Sequence, residues 1–270
     1  MNPQLQPEGG ISMTALEKLF SLEGKNAIVT GGAQGIGKVV ATRMAEVGAN
    51  IAIFDLQLEK AKATAKEIAE LTGKKVLAYE IDVTDPAQVK DRIQKAAEDF
   101  GGMDLLFNNA GIAVHKTAHE VTPEEWAKVI NVNLNGEYYM ASEFARYLKA
   151  NGRKGSIVNT ASMSGHIVNW PQRQASYNAS KAGVILMTKS LAVEYWEDGI
   201  RVNSLSPGYM YTELCKQLPE EWQERWFDLT PAGRYGQPEE LCGAVIYLFS
   251  DSASFTTGTD LIVDGGYTSV

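Results

Sequence analysis

The stretch from Lys25 to Lys38, KNAIVTGGAQGIGK, decides the fold. KNAIVT is apolar and β-branched like a short buried strand, and GGAQGIG follows it directly, before a helix pattern from Lys38 to Val47. A glycine-rich turn between a strand and a helix lets backbone N–H groups approach a phosphate at the positive end of the helix dipole. A plain tight turn is the alternative, but the order strand, glycines, helix favours binding of a phosphate-bearing cofactor.

An acidic residue ends the second predicted strand. Asp55 follows NIAIF at 50–54, about 20 positions after the glycines, where a carboxylate can bind both hydroxyls of an adenosine ribose. It would repel a 2′-phosphate, and no Arg or Lys stands at Gln34, Leu56 or Gln57 to offset this. The sequence therefore predicts NAD (NADH) rather than NADP as the cofactor. A helix N-cap is the alternative role for Asp55, because a helix is predicted directly after it.

Strands alternate with helices along the rest of the chain, which is typical of a parallel, doubly wound α/β sheet. Five further strands are predicted, at Lys75–Ile81, Asp104–Phe107, Gly155–Asn159, Arg201–Ser206 and Asp260–Val263. The segment 209–233 follows the sixth strand, is longer than an ordinary connection, and is predicted to be a lid. We expect one doubly wound α/β domain over residues 21–270, preceded by a mobile N-terminal extension over residues 1–20.

Composition disfavours several classes of function. The chain of 270 residues has a net charge of −8 and a pI near 5.1, so neither nucleic acid nor an anionic membrane is an expected partner. Two cysteines and three histidines without metal-ligand spacing predict no metal site and fit a reducing compartment. No signal-peptide pattern and no apolar run of membrane-spanning length, about 20 residues, is found. These features predict a cytoplasmic protein.

Tyr177 and Lys181, within SYNASK, carry the predicted acid–base chemistry. They stand four apart in a run of helix formers, so a phenol and an ammonium share one face of a helix. A phenol has a pKa of about 10, and a neighbouring cation lowers it by stabilising the phenolate. A Tyr-x-x-x-Lys pair that stands alone is more often an ordinary surface pair, but other motifs of this chain favour the catalytic interpretation.

Motifs spread over residues 21–268 together resemble those of the short-chain dehydrogenase/reductase family. They are TGGAQGIG at Thr30, DV at Asp82, NNAG at Asn108, the Ser162 segment, YNASK at Tyr177, SPGYMYT at Ser206, PAGRYGQPEE at Pro231 and TGTDLIVDGG at Thr257. The resemblance implies a seven-stranded Rossmann sheet in the order 3-2-1-4-5-6-7 and assembly as a homotetramer. It also implies an enzyme that moves a hydride between NAD and a secondary alcohol carbon.

The resemblance implies four catalytic residues. Tyr177 would be the general acid/base, and Lys181 would lower the pKa of that phenol and bind the nicotinamide ribose. Ser162, which is followed three positions later by Gly165, would hydrogen-bond the substrate oxygen. Asn133, in VNLNG, would distort its helix and hold a water of a proton relay.

The cofactor-binding residues implied by the resemblance follow the carboxyl ends of successive strands. They are Gly31, Gln34, Gly35, Ile36, Gly37, Asp55, Leu56, Asp82, Val83, Asn109, Ala110, Gly111, Tyr177, Lys181, Pro207, Gly208, Met210 and Thr212.

The loop between the catalytic serine and tyrosine points to the substrate. Tyr177 stands 15 positions after Ser162, two more than is usual in the family, so we expect Ser164 to line the substrate pocket. The sequence HIVNWPQRQAS within it resembles the loop of polyol/ketose (mannitol- and sorbose-type) reductases. The predicted substrate-binding residues are Ser162, Ser164, His166, Tyr177 and Tyr209, with Asn169, Gln174, Trp222 and Trp226 as further pocket candidates.

The predicted activity is NAD-dependent interconversion of a polyol and a ketose, both small-molecule substrates. Polar donors in the loop suit a polyhydroxylated substrate. A 3-oxoacyl thioester reductase or a gluconate 5-dehydrogenase-type enzyme is the nearest alternative, although the predicted lid segment EEWQERWFD is too acidic to favour an acyl carrier. A cofactor-binding regulatory protein without catalysis is a more distant alternative, and the intact Tyr, Lys and Ser speak against it.

Overall fold

A seven-stranded parallel sheet lies at the centre of the computed structural model, which describes residues 13–213, 215 and 219–270. The strands are β1 (Asn26–Thr30), β2 (Asn50–Asp55), β3 (Val76–Glu80), β4 (Leu105–Asn108), β5 (Gly155–Thr160), β6 (Ile200–Pro207) and β7 (Asp260–Val263). Their order is β3-β2-β1-β4-β5-β6-β7, and every neighbouring pair is parallel. The predicted fold class and strand order are confirmed.

Helices cover both faces of the sheet. They are α1 (Ala15–Phe20), α2 (Gly35–Glu46), α3 (Leu58–Thr72), α4 (Pro86–Phe100), α5 (Pro123–Ile130), a π-helical segment (Asn131–Gly136), α6 (Glu137–Ala150), α7 (Ala175–Tyr195), α8 (Glu220–Leu229) and α9 (Cys242–Phe249). One apolar layer joins α2, α3 and α9 to the sheet, and the other joins α4, α6 and α7. Because β1 is buried along its whole length, its apolar residues Ala27, Ile28 and Val29 are consecutive and do not alternate with polar ones.

The strand order reverses between β1 and β4, which fixes where a ligand can bind. The chain moves outward from β1 through β2 to β3 and then returns to the other side of β1 with β4. Loops after the carboxyl ends of β1 and β4 therefore diverge and leave a crevice, the usual ligand site of open α/β sheets. Thr30 and Asn108 end these two strands, so GGAQGIG and NNAG both open into this crevice.

The N-terminal segment contains a short helix. Residues 1–12 of the predicted extension lie outside the described residues. Thr14 and Glu17 form a reciprocal capping box at the start of α1, and the Leu19 carbonyl accepts a hydrogen bond of 3.0 Å from Ser252. A capping box thus begins a helix inside the segment 1–20, and the mobility of this segment stays a prediction.

Helix α8 occupies the centre of the segment predicted to be a lid, 209–233; residues 214 and 216–218 of that segment are not described. The indole of Trp226 is 1% exposed and stacks on Tyr209 with ring centroids 4.1 Å apart. Closure over a substrate remains a prediction, but α8 is packed against the end of β6 through these rings. None of the helices in the described residues is long and apolar enough to cross a membrane.

Candidate active site

The glycine-rich turn after β1 has the shape of an anion cradle. Gly31 and Gly35 adopt φ angles of 62° and 56°, which favour glycine, and a Cβ on Gly37 would overlap the carbonyl oxygen of Gly31. A Cβ on Gly35 would meet nothing within 4 Å, so this side of the turn is open. Gln34, the N-cap of α2, makes no side-chain capping bond. The first N–H groups of α2 are therefore free of side-chain capping, as binding of a pyrophosphate requires.

Asp55 lies directly beside this turn at the end of β2. Its Oδ2 accepts a hydrogen bond of 3.0 Å from the backbone N–H of Ala33, and its Oδ1 accepts one of 2.9 Å from Gln57. The two bonds hold the carboxylate at the rim of the cradle. The side chain of Leu56 next to it is 66% exposed, so the adjoining surface is open. The residues present fit the adenosine half of a dinucleotide.

Lys60, in α3, brings a cation to this rim that the sequence analysis did not identify. Its ammonium contacts the side-chain oxygen of Gln34. Lys60 lies five positions after Asp55 and within the first turn of α3, so its proximity follows from how α3 crosses the cradle. A cation at this rim favours a 2′-phosphate, and therefore NADP.

Thr30 joins the cradle to the loop after β4. Its hydroxyl accepts hydrogen bonds from the N–H groups of Asn109 (2.8 Å) and Ala110 (3.0 Å), and the Asn109 amide donates to the Thr30 carbonyl at 3.1 Å. The backbone of NNAG is therefore fixed against β1, as a cofactor lying across this reversal point needs. Asn109, Ala110 and Gly111 are placed together with the cradle, as predicted residues of one site.

The remaining predicted cofactor residues are held by local contacts. Asp82 accepts hydrogen bonds from the N–H and hydroxyl of Thr84, at 2.9 and 2.7 Å. Met210 is 5% exposed and packs into the apolar layer on α9, so its backbone and not its side chain is available. Ile36 is partly buried and Val83 is buried. Pro207 ends β6, and Gly208 and Thr212 follow it. Cofactor contacts of all these residues remain predictions.

Asn133 lies where its helix is distorted, as the resemblance implies. Between α5 and α6 the helix widens into the π-helical segment, and Asn133 in it is fully buried. Its Oδ1 accepts from the N–H of Ile112 and its Nδ2 donates to the carbonyl of Ile112, both at 2.8 Å. Nδ2 also donates to Ser180 at 3.2 Å. One side chain thereby clamps the loop after β4 to α7, which carries Tyr177.

Tyr177 and Lys181 share one face of α7, as the spacing predicts. The ammonium of Lys181 lies 5.9 Å from the centroid of the Tyr177 ring. It also donates a hydrogen bond to the carbonyl of Thr160 at the end of β5. The side chain of Lys181 is only 3% exposed, so the cation acts in a medium of low dielectric constant, where its field is strong. The surface-pair interpretation of this motif is thereby excluded.

Glu137 completes this cluster, and the sequence analysis missed it. Its Oε1 lies 3.0 Å from the Lys181 ammonium, and its side chain is 1% exposed. A signal was available: Glu137 stands at the same helical spacing as the apolar core residues Met140, Ala141 and Phe144 of α6. A carboxylate on the core-facing stripe of an amphipathic helix is unusual, and it indicates a buried partner.

Ser162 lies at the end of β5, close in the chain to the carbonyl that holds Lys181. It is 7% exposed, and its hydroxyl accepts a hydrogen bond of 3.1 Å from the N–H of Ser164. Gly165 packs on α7 so closely that a Cβ there would lie 2.9 Å from backbone atoms of Lys181 and Ala182. Only glycine therefore fits where the segment after Ser162 passes α7. The hydroxyl hydrogen of Ser162 remains free to donate to a substrate oxygen.

The predicted pocket residues of the loop 165–176 form a buried polar chain with one another. Gln174 donates to Ser164 at 3.2 Å and to Asn169 at 3.1 Å, and Asn169 in turn donates to the hydroxyl of Tyr209 at 3.1 Å. All but Tyr209 are less than 9% exposed. Asn169 and Gln174 were expected to meet substrate hydroxyls, but these bonds use both amide hydrogens of Gln174 and one of the two of Asn169. Ser164 retains a hydroxyl hydrogen to donate.

The buried chain of hydrogen bonds continues into α8. The Tyr209 hydroxyl donates to Gln172 at 3.0 Å, and the indole N–H of Trp226 donates to the same oxygen at 2.7 Å. Burial raises the pKa of the Tyr209 hydroxyl far above its usual range, so this phenol stays neutral. The predicted lid residue Trp226 therefore anchors α8 to the loop and is not itself exposed to a pocket.

Two histidines make contacts that the sequence did not indicate. His166, a predicted substrate residue, has Nε2 at 2.6 Å from Asp260 in β7, so that nitrogen is occupied by a carboxylate. His115 packs edge-on to Trp222 of α8 with ring centroids 5.8 Å apart. Its Nδ1 is buried without a partner among the described residues, and burial lowers the pKa of the ring, which keeps it neutral. His115 follows NNAG on the ligand-binding edge, a position that could have marked it.

Comparison with known proteins agrees with this geometry. Residues 31–268 match the family model described as Enoyl-(Acyl carrier protein) reductase. A sorbose reductase of Schizosaccharomyces pombe is 43% identical over 94% of this chain and 100% of its own length. An NADP-dependent mannitol dehydrogenase of Alternaria alternata is 44% identical over 94% of this chain and 96% of its own. The crystal structure of a short-chain type dehydrogenase/reductase from Mycobacterium marinum superposes with a TM-score of 0.90 at 42% identity, covering 93% of this chain and 98% of that one.

Proposed function

Because the chain belongs to the short-chain dehydrogenase/reductase family, as its match over residues 31–268 and its relatives establish, we propose that it is an NAD(H)-dependent enzyme that interconverts a C5 or C6 polyol and a ketose. The observation that carries the chemistry is the buried Lys181 ammonium on the same helix face as Tyr177. The observation that carries the substrate class is likeness, over nearly the whole chain, to a sorbose reductase and a mannitol dehydrogenase.

The proton moves through Tyr177 in this proposal. Its phenolate oxygen accepts the hydroxyl proton of the alcohol, and in the reverse direction the phenol returns a proton to the ketone oxygen. The buried Lys181 cation stabilises the phenolate form. Ser162 donates a hydrogen bond from its hydroxyl to the same substrate oxygen, where negative charge develops. Asn133 keeps the loop after β4 against α7, and thereby keeps the floor of the site fixed relative to Tyr177.

A nicotinamide dinucleotide fits the residues present. The N–H groups of the turn at Gly35 and Gly37 would bind the pyrophosphate, Asp55 the adenosine ribose and Lys181 the nicotinamide ribose. When bound, the nicotinamide accepts or supplies the hydride. The residues of this chain position the substrate oxygen and manage its proton.

The polar lining supports a polyhydroxylated substrate. Ser162 and Ser164 lie two residues apart after β5 with hydroxyl hydrogens to donate. A site that hydrogen-bonds hydroxyl groups rejects analogues that lack them, because its buried polar groups are then left unpaired. His166 and Tyr209 were also proposed to contact substrate, and through their bonds to Asp260 and Gln172 they would shape the pocket wall.

Asp55 supports NAD as the preferred cofactor. Its carboxylate is fixed at the rim of the cradle by two backbone N–H groups, so it cannot readily turn away from a ribose. A 2′-phosphate there would bring negative charge beside a carboxylate that has no Arg or Lys hydrogen-bonded to it among the described residues. We propose that this repulsion outweighs the attraction of Lys60.

NADP is the second candidate, and two specific observations favour it. The ammonium of Lys60 reaches Gln34 at the same rim, and the Alternaria alternata relative is named NADP-dependent. The ratio of kcat/KM for NAD to that for NADP in the wild-type enzyme separates the two candidates. Lys60→Ala then tests whether Lys60 attracts the phosphate: it should leave kcat/KM for NAD within about twofold and lower that for NADP. If Lys60→Ala instead lowers kcat/KM for NAD and NADP equally, Lys60 plays no part in phosphate recognition.

A 3-oxoacyl thioester reductase or a gluconate 5-dehydrogenase-type enzyme is the competing activity. Helix α8 has Glu220 and Glu221 in its first turn, and an acyl carrier protein is itself acidic, so the two surfaces would repel. Initial rates with sorbitol, mannitol, arabinitol, xylitol and gluconate with NAD, and with an acetoacetyl thioester with NADH, decide between them. We expect a polyol to give the highest kcat/KM; a thioester or gluconate in first place refutes the polyol assignment.

We also propose a homotetramer in the cytoplasm. Helix α7 presents Leu186 and Val193 at 67% and 80% exposure, more apolar surface than a helix facing water usually keeps. Light scattering should give about four times the chain mass of 29.4 kDa, and Val193→Glu should lower it. A monomeric mass for the wild-type protein contradicts the assembly.

A further inference from the structure

The buried carboxyl of Glu137 has no role in the proton chemistry derived so far. Its Oε1 is 3.0 Å from the ammonium of Lys181, and both side chains are at most 3% exposed. The second oxygen, Oε2, is buried without a hydrogen-bond partner among the described residues. A buried carboxylate costs several kcal/mol unless its charge is well compensated, so a half-satisfied one beside a catalytic cation calls for a reason.

The backbone of Glu137 is also held in place by a hydrogen bond. Glu137 is the first residue of α6, directly after the π-helical segment, and its carbonyl accepts a hydrogen bond of 2.7 Å from Asn108 at the end of β4. Asn108 is itself tied to Asn159 of β5 at 3.2 Å. The wide turn before α6 thus delivers the carboxyl to the space between β5 and α7, where Lys181 ends.

We propose that Glu137 is a positioning residue of the proton-transfer site: its carboxyl holds the Lys181 ammonium and partly cancels the field with which that ammonium stabilises the Tyr177 phenolate. This inference rests on the proposed function, since it assigns Tyr177 the proton. Lys181 then has two anchors, the carboxyl of Glu137 and the carbonyl of Thr160, and its charge is matched inside the protein.

The charges around Glu137 support this role. Lys181 on α7 is the one charged group acting on this carboxyl in the described part of the chain, and Tyr177 on the same helix is the other titratable group beside Lys181. β5 contributes the uncharged Thr160, and β4 the uncharged Asn108. Burial raises the pKa of Glu137 to about 7, although Lys181 acts to lower it. The carboxyl consequently gains its negative charge near neutral pH, and above that pH it offsets Lys181.

Glu137→Gln removes the charge and keeps the size and one oxygen that can accept from Lys181. With the field of Lys181 no longer opposed, the phenolate of Tyr177 forms more easily. The pH at which alcohol oxidation reaches half its maximal kcat/KM should fall by about one unit, the low end of the effect of a nearby charge. Ketone reduction should lose activity at a correspondingly lower pH. A purely structural role for Glu137 would change the rates but would not move both profiles in the same direction.

The control variants separate charge from shape. Glu137→Asp keeps the charge and should keep the wild-type midpoint even if the rate falls. Glu194→Gln removes an equal charge from an exposed position near the end of α7, the helix that carries Tyr177 and Lys181, and should leave the midpoint unchanged. If Glu137→Gln does not fold, Glu137→Met serves for the same test, because it is equally long and uncharged.

A spectroscopic titration tests the inference without substrate or cofactor. The near-ultraviolet tyrosinate band is followed against pH in the apoprotein, and the same titration of Tyr177→Phe is subtracted to isolate Tyr177. In a Glu137→Gln background this isolated transition should move about one unit to lower pH. If the transition is unchanged in the Gln or Met variant that folds, the inference is overturned. Failure of every polyol as a substrate would instead overturn the proposed function and leave the titration result standing.

Discussion

Asn133→Ala should show that a single side chain holds the floor of the active site. In the wild-type protein Asn133 makes three hydrogen bonds, two to the backbone of Ile112 and one to Ser180, and it is fully buried. Truncation leaves the N–H and carbonyl of Ile112 without these partners. A typical hydrogen bond contributes about 1 kcal/mol net, so the loss should be roughly 3 kcal/mol of the free energy of unfolding.

Urea unfolding of the apoprotein measures this loss. With a slope of roughly 3 kcal/mol per M, the midpoint should fall by about 1 M. The matched control is Asn135→Ala, in the same π-helical segment, where one exposed bond of 2.8 Å to Asn131 is lost. That variant should change the free energy of unfolding by less than about 0.5 kcal/mol. In activity assays Asn133→Ala should also lose rate, because the loop after β4 is no longer clamped to α7.

Equal effects of the two substitutions would refute this reasoning. If Asn133→Ala lost no more stability than Asn135→Ala, the bonds to Ile112 would be replaceable by water, and the π-helical segment would owe its shape to something other than Asn133.

Three further predictions concern the proton, the cofactor and pH. Tyr177→Phe should bind NADH almost normally in a fluorescence titration and lose about two to four decades of kcat; retention of more than a tenth of the wild-type rate would assign the proton to another group. Wild-type enzyme should prefer NAD over NADP by at least about tenfold in kcat/KM, or about 1.4 kcal/mol, and Asp55→Ala should erode this preference; equal use of both by the wild type would falsify the role of Asp55. Burial raises the pKa of Glu137 from 4.5 to about 7, so between these pH values the folded protein holds a proton there that the unfolded chain has lost. The stability of wild type relative to Glu137→Gln should therefore be greatest below pH 4.5 and fall as pH rises through about 7. The fall should total about 3 kcal/mol in urea unfolding at stepped pH, and a flat or rising difference would contradict the raised pKa.

The fold could be predicted because it rests on local patterns. The run KNAIVT, the glycines after it and the alternation of strands and helices each depend on neighbouring residues, and they led to the observed strand order through the family resemblance. The shared helix face of Tyr177 and Lys181 follows from a spacing of four. The glycine three positions after Ser162 packs against the backbone of α7, a close approach that a glycine at this position permits.

The rest depended on contacts between residues far apart in the chain. Asn169 and Gln174 were expected to face a substrate, but the fold brings Tyr209 close enough to bond Asn169 and complete a buried chain. His166 finds Asp260, a residue 94 positions away. Glu137 was overlooked because only its position on the core-facing stripe of α6 marked it, and its partner lies 44 positions further along the chain.

The N-terminal boundary shows a different difficulty. The sequence analysis assigned residues 1–20 to one extension because the first dozen residues are polar and rich in proline and glycine. A capping box at Thr14 and Glu17 starts a helix that has no buried residues of its own, so neither apolar periodicity nor core packing indicated it. The Thr-x-x-Glu spacing was the available signal.

The most direct test of the central claim is a comparison of kcat/KM under one set of conditions, with NAD as cofactor, for sorbitol, mannitol, arabinitol and xylitol against 2-propanol. Each missing hydroxyl contact leaves a polar group unpaired at about 1–3 kcal/mol, so 2-propanol should be poorer than the best polyol by several decades. The account predicts this gap, with the best polyol oxidised most efficiently above neutral pH, where more Tyr177 is in the phenolate form. A value for 2-propanol within about tenfold of every polyol, a difference of 1.4 kcal/mol or less, would contradict it.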